Sequence, residues 1–178
     1  VHDITANPGD DYLFVRLRGA VAAVESAVTR MGADAQALGA KVLRMDKQEA
    51  VQDWRASGEQ MLQFFEPISG ELCLWRLSVP QTAPVLDLSH IGHPQQYIEW
   101  HGAQRWLWAP ATAATALREA ARAAGGHATL FRASVLGGSS DKSVGVNAPL
   151  DAVQQRIQRE LQKQFDPQGV FATGRMGI

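Results

Sequence analysis

Apolar and polar positions alternate with a period of two in four stretches of this chain. They are "DYLFVRLRG" (11–19), "GELCLWRLSVP" (70–80), "QQYIEWHGAQRWLWAP" (95–110) and "HATLFRASV" (127–135). Such alternation predicts strands with one buried face, bounded here by Gly19 and Pro80 and closed by Pro110. The third stretch reads either as one long strand or as a strand pair kinked at Gly102. Helical spacing takes over in between. "AVAAVESAVTRMG" (20–32) carries Val21, Val24, Val28 and Met31 on one face, with Gly32 as a stop. Asp46 can cap a helix over 47–65 that breaks near Gly58, and Thr112 can cap a helix over 113–126 ended by Gly125-Gly126. Residues 33–45 stay open between loop and a short strand at "KVLRM". A Gly/Ser loop (136–150) leads into a polar amphipathic helix (151–165) that runs out at Asp166-Pro167.

With the segment 33–69 set aside as a helical insertion, the order is β-α-β-β-α-β plus a C-terminal helix. This predicts an α+β fold of the ferredoxin-like, split βαβ kind, with helices on one face of a four-stranded sheet. The other face must then meet water or a partner. Side chains alternate along a strand, so each strand divides into two faces. Cys73, Trp75, Leu77 and Val79 oppose Leu72, Leu74, Arg76 and Ser78, and Arg105 alternates with Trp106. Sending the apolar sets toward the helices leaves Arg16, Arg18, Arg76, Arg105 and Arg132 on the open face. Guanidinium groups suit bidentate capture of carboxylate or phosphate, or they solvate the face and bury their stems along it.

Composition narrows the choice. The 178 residues are 46% hydrophobic and 20% charged, with room for one ordinary core and a net charge of −1. That charge argues against a general nucleic-acid binder or a polybasic membrane surface. No apolar run reaches the roughly 20 residues of a membrane span. One cysteine, Cys73, excludes an internal disulfide framework and points to a reducing compartment. The start at Val1, followed by linker-like residues 1–10, reads as a piece of a longer protein, or else as a processed leader. His90 and His93 have a metal-like spacing but lack companion ligands, so no metal is expected. The loop around Gly137-Gly138 lacks phosphate-loop spacing. Trp100, Trp106 and Trp108 cluster in one segment, where core packing is the default.

The motifs "LWRLSVP" with a following "TAP", "EWHGAQRW", "GHATLFR" and "FDPQGVFATGRM" occur in this order from about residue 11 to 176. As a set they resemble the C-terminal, cap-bearing portion of FAD-linked oxidases of the vanillyl-alcohol-oxidase type. Within that type they are most similar to FAD-binding E-type subunits of bacterial glycolate oxidases. The resemblance implies an FAD-binding domain N-terminal to this chain, with residues 1–10 as linker and 11–150 as a ferredoxin-like cap over the flavin. Residues 151–178, with the FDP tail, would dock back on the FAD domain. FAD is expected in the complete protein and not on this chain alone, which is not expected to be active by itself.

The implied partners are the missing FAD domain, a flavin D-type subunit, an iron–sulfur subunit and a 2-hydroxy acid substrate. The implied location is cytoplasmic, or peripheral at the inner face of the membrane through those subunits. For substrate the expected residues are Arg76 and Arg105, with Ser78 as a nearby donor and Trp100 and His101 as pocket wall. For the cofactor they are Arg132 and Arg175. The chain departs from the family pattern at His101, Ala148 and Ala172. Two other classes remain: an assembly module whose basic face docks a partner subunit, and a ferredoxin-like RNA-binding domain. The second lacks the paired aromatic platform such domains present.

Overall fold

A computed structural model describes residues 11–171. The chain divides between Leu62 and Gln63 into two units, each with its own organisation.

The first unit is helical. Helix α1 (Val21–Ala37) runs through Gly32, past the stop expected there. It ends where Gly39 takes a left-handed φ of 86°, a conformation that costs glycine little. Helix α2 (Lys47–Gly58) starts where Asp46 accepts hydrogen bonds from the amides of Gln48 and Glu49, as the sequence suggested. Arg44 and Glu25 face each other in a bidentate pair at 2.8 and 2.6 Å. Neither helix has a buried residue.

Residues 11–19, expected as the first strand, carry no strand. Tyr12 stacks on Phe14, and the Arg16 guanidinium lies 5.5 Å from the Trp54 ring. Alternation makes a segment suitable for a sheet, but only pairing makes it a strand. Arg16 and Arg18 therefore belong to no sheet face.

The second unit holds the α+β fold. Its strands are β1 (Leu72–Ser78), β2 (Gln96–Glu99), β3 (Gln104–Pro110) and β4 (His127–Arg132). They form one antiparallel sheet in the order β2-β3-β1-β4. The stretch 95–110 supplies two of the four strands by reversing at Trp100–Gly102, where three successive residues have φ values of 52°, 54° and 95°. β3 and β4 flank β1, and helix α3 (Ala114–Ala123) crosses between them. The connection from β1 to β2 has only a short 3-10 turn at Ser89–Ile91. The arrangement is consistent with a small ferredoxin-like α+β domain in which one crossover carries a helix.

Thr112 does not cap α3, which is entered through a 3-10 turn at Ala111–Ala113. Gly125 and Gly126 do close it; a Cβ at Gly126 would collide with the Ser78 carbonyl. The core lies between the sheet and α3, where Trp75, Leu77, Leu107, Leu117, Ala121 and Leu130 are buried. The Trp75 indole satisfies itself on the Ala109 carbonyl at 3.1 Å.

The Gly/Ser loop is not loose. Asp141 accepts from the Ser134 amide (2.9 Å), the Ser134 hydroxyl (2.6 Å) and the Cys73 thiol (3.4 Å). These bonds hold the carboxyl of Asp141 below its ordinary range. Burial, with that carboxylate beside it, pushes the Cys73 thiol up to about 11. Helix α4 (Ala152–Phe165) begins in a capping box made by Asp151 and Gln154. Its apolar stripe stays exposed, with Val153, Ile157 and Leu161 at 57%, 51% and 51%. Asp166 then folds the chain end by accepting from the amides of Val170 and Phe171, both at 2.8 Å. No helix of the described residues is long and apolar enough to cross a membrane.

Candidate functional site

The register of the sheet decides which side chains share the face away from α3, because directly paired residues point the same way. Arg76 lies between Trp106 on β3 and Thr129 on β4, and Tyr97 on β2 completes the row. The next row is polar throughout: Glu99, Gln104, Ser78 and His127.

This second face is only partly open. A 3-10 turn at Gln63–Phe65 lies across it. Phe65 is buried, with ring centroids 5.3 Å from Tyr97 and 5.5 Å from Trp106. The Trp108 indole donates to the Phe64 carbonyl at 2.7 Å, and Arg132 donates to the Phe65 carbonyl at 2.6 Å. Leu74, Trp106 and Trp108 are consequently buried although they lie opposite the helix. What remains accessible is the polar row beside Arg76. Glu99 braces that row by accepting from the Trp106 indole (2.7 Å) and the Gln104 amide (3.0 Å).

Four arginines are withdrawn from solvent among the described residues, and their partners distinguish them. Arg105 is 4% exposed. It pairs with Leu77 and so sits on the helix side, and its guanidinium donates to the carbonyls of Gly102, Pro84 and Ala83 at 2.8–3.0 Å. Burial pulls its pKa below the ordinary arginine value. The expected placement of Arg105 on the open face is thus corrected. "QRWLWAP" is apolar on both faces, so alternation alone could not orient it. Arg118 donates to the carbonyls of Val144 and Gly145 at 2.8 and 2.6 Å. Arg132 has the Phe65 carbonyl. Arg76 alone of the four makes no hydrogen bond or ion pair with the described residues; its guanidinium rests 5.7 Å from the Phe131 ring.

Ser78 follows Arg76 on the same face, as alternation required. Trp100 and His101 occupy the left-handed turn after β2, at the end of the sheet where Ser78 and Gln104 pair. Trp100 is 70% exposed there. Arg175 lies outside the described residues. The polar partners Gln104 and His127 escaped the sequence reading, since their place depends on cross-strand register.

The Gly-rich loop is the described segment whose sequence could suggest a phosphate cradle. The one Gly-rich turn is closed on itself: the Gly137 amide donates to the Ser134 hydroxyl, and a Cβ at Gly137 would collide with the Asp141 carboxylate. No group of His, Cys, Asp and Glu among the described residues could hold a metal ion.

The chain is 36% identical over 167 residues to glycolate oxidase subunit GlcE of Escherichia coli (strain K12). The match covers 94% of this chain and 39% of that relative's length. It is consistent with a C-terminal portion of an FAD-linked oxidase subunit, in agreement with the order of the motifs. No family model matches, and no solved structure matches.

Proposed function

We propose that this chain is the cap portion of a flavin-linked oxidase subunit of the glycolate oxidase type, and that Arg76 receives the carboxylate of a 2-hydroxy acid. The observation that carries this reading is the partly buried Arg76, whose guanidinium makes no hydrogen bond or ion pair with the described residues. A guanidinium in that state favours a planar anion. Ser78 and Gln104 lie in the adjoining row, where a hydroxyl and an amide can hold the remaining oxygens of such a ligand. Trp100 and His101 wall the end of the strip, and the buried aromatic strap keeps water from one side. Arg132, which keeps one bond to Phe65, adds positive potential on the same face. Arg105 has no part in binding: it ties the loop before β2 to the turn after it.

The flavin itself, and the iron–sulfur and flavin partner subunits, belong to the remainder of such an enzyme. The exposed stripe of α4, with Phe165 at 83% and Phe171 at 81%, supplies the contact to an FAD-binding domain. Cytoplasmic or peripheral placement follows from that assembly.

The test replaces Arg76 in the complete subunit, assembled with its partners. Charge-assisted hydrogen bonds contribute about 1.5–3 kcal/mol, so R76A raises KM for glycolate at least about tenfold while the complex elutes intact. An unchanged KM ends the reading. A complex that falls apart instead supports the alternative, a basic docking face for another subunit.

A further inference from the structure

The pairing of β1 with β4 is irregular at one place. Arg76 pairs with Thr129 and Trp75 with Leu130, but Leu74 pairs with Arg132, so Phe131 has no Cα partner. One residue is therefore extra in β4, which is the definition of a bulge. In an unbroken register Arg132 would oppose Cys73 and point toward the helix. Phe131 would share the face of Leu74 and Arg76 in either register; the bulge adds Arg132 to that face.

Phe131 uses that position in two ways. Its ring meets Trp106 edge-on at 4.9 Å with an interplanar angle of 84°, which fixes its orientation against a buried side chain. Its face supports the Arg76 guanidinium at 5.7 Å, and the ring is still 43% exposed. A cation–ring contact draws on the guanidinium's charge and needs no hydrogen-bond acceptor. Of the withdrawn arginines, Arg105, Arg118 and Arg132 are aimed by carbonyl acceptors. For Arg76, the contact found is aromatic, and an aromatic contact consumes no donor.

We infer that Phe131 is the positioning residue of this site: its ring, set against Trp106 on the face of Arg76, holds Arg76 in place with its donors unspent on the described residues. The inference rests on the reading of Arg76 as the carboxylate clamp. It assigns no contact between Phe131 and the reacting atoms.

The experiment is a cycle of R76A, F131L, F131Y and R76A/F131L in the complete, assembled subunit. Two quantities are read: KM and kcat for glycolate, and equilibrium binding of oxalate, which cannot be oxidised at an α-carbon. An exposed cation–ring contact has an effect of roughly two- to fivefold. F131L is expected to raise KM and the oxalate Kd by about that factor with kcat unchanged, F131Y to match the wild type, and F131L to add nothing in the R76A background. An equal loss from F131L with and without Arg76 overturns the inference, because the ring then acts on its own. If F131L prevents assembly, F131M fills the space against Trp106 without a ring, and the same comparison holds. If R76A alone leaves KM and oxalate binding unchanged, the clamp reading fails first, and that result is distinct from a silent F131L beside an active R76A.

Discussion

The two faces of the sheet solve the same problem with different materials. Toward α3 the strands present Trp75, Leu77, Leu107 and Leu130, and the cation that β3 sends to that side, Arg105, is enclosed by three carbonyls. Away from α3 the cover is a 3-10 turn, whose Phe65 seals the part of the surface over Tyr97 and Trp106 and leaves Arg76 beside a polar row. A helix closes a face completely because its side chains fill a continuous stripe. A strap closes only the strip it crosses. The difference teaches that a buried arginine is not by itself a binding arginine: what matters is whether its donors are already used.

Breaking the closed face should have the largest effect. W75A removes a fully buried indole, and such truncations cost about 3–5 kcal/mol, read as a lower urea midpoint. The contrast between the arginines is next. R105M strands three carbonyl acceptors in a buried site and should lower stability by roughly 1–3 kcal/mol. R76A should lower the urea midpoint far less than R105M, because it strands no hydrogen-bond partner among the described residues and loses only its contact with the Phe131 ring. Equal destabilisation by the two would erase the distinction between structural and ligand-binding arginines.

The smallest effect is one of pH, at Cys73. Its thiol is raised to about 11 from an ordinary value near 9.0. The folded state therefore holds its proton more tightly than the unfolded state. The associated stability is complete below pH 9 and is lost as pH rises toward 11. C73A should flatten that part of the pH–stability profile relative to wild type. The native thiol should also react slowly with a disulfide reagent at pH 8 and quickly once unfolded.

Much of this was legible in the sequence wherever one physical signal dominated. The Asp46 cap, the stop at Gly125-Gly126, the inward set Cys73, Trp75, Leu77 and Val79, and the amphipathic α4 all formed as local rules required. Local rules failed where two signals tied. "DYLFVRLRG" has the alternation of a strand but gained no partner, while "QQYIEWHGAQRWLWAP" folded back at Trp100–Gly102 and supplied two. Trp106 and Leu107 are both large and apolar, so the faces of β3 could not be told apart along the chain.

The sequence by itself determined the α+β class, the alternating core of β1, and the placing of Arg76 and Ser78 on the face opposite that core. These depend on periods of two and 3.6 residues, which are properties of the backbone. Only the tertiary structure decided that Arg105 turns inward onto carbonyls, that Phe65 covers part of the second face, and that a bulge turns Arg132 onto the face that carries Arg76. Each of these joins residues far apart in the chain through cross-strand register, and register is fixed when strands pair, not by the residues of one strand alone.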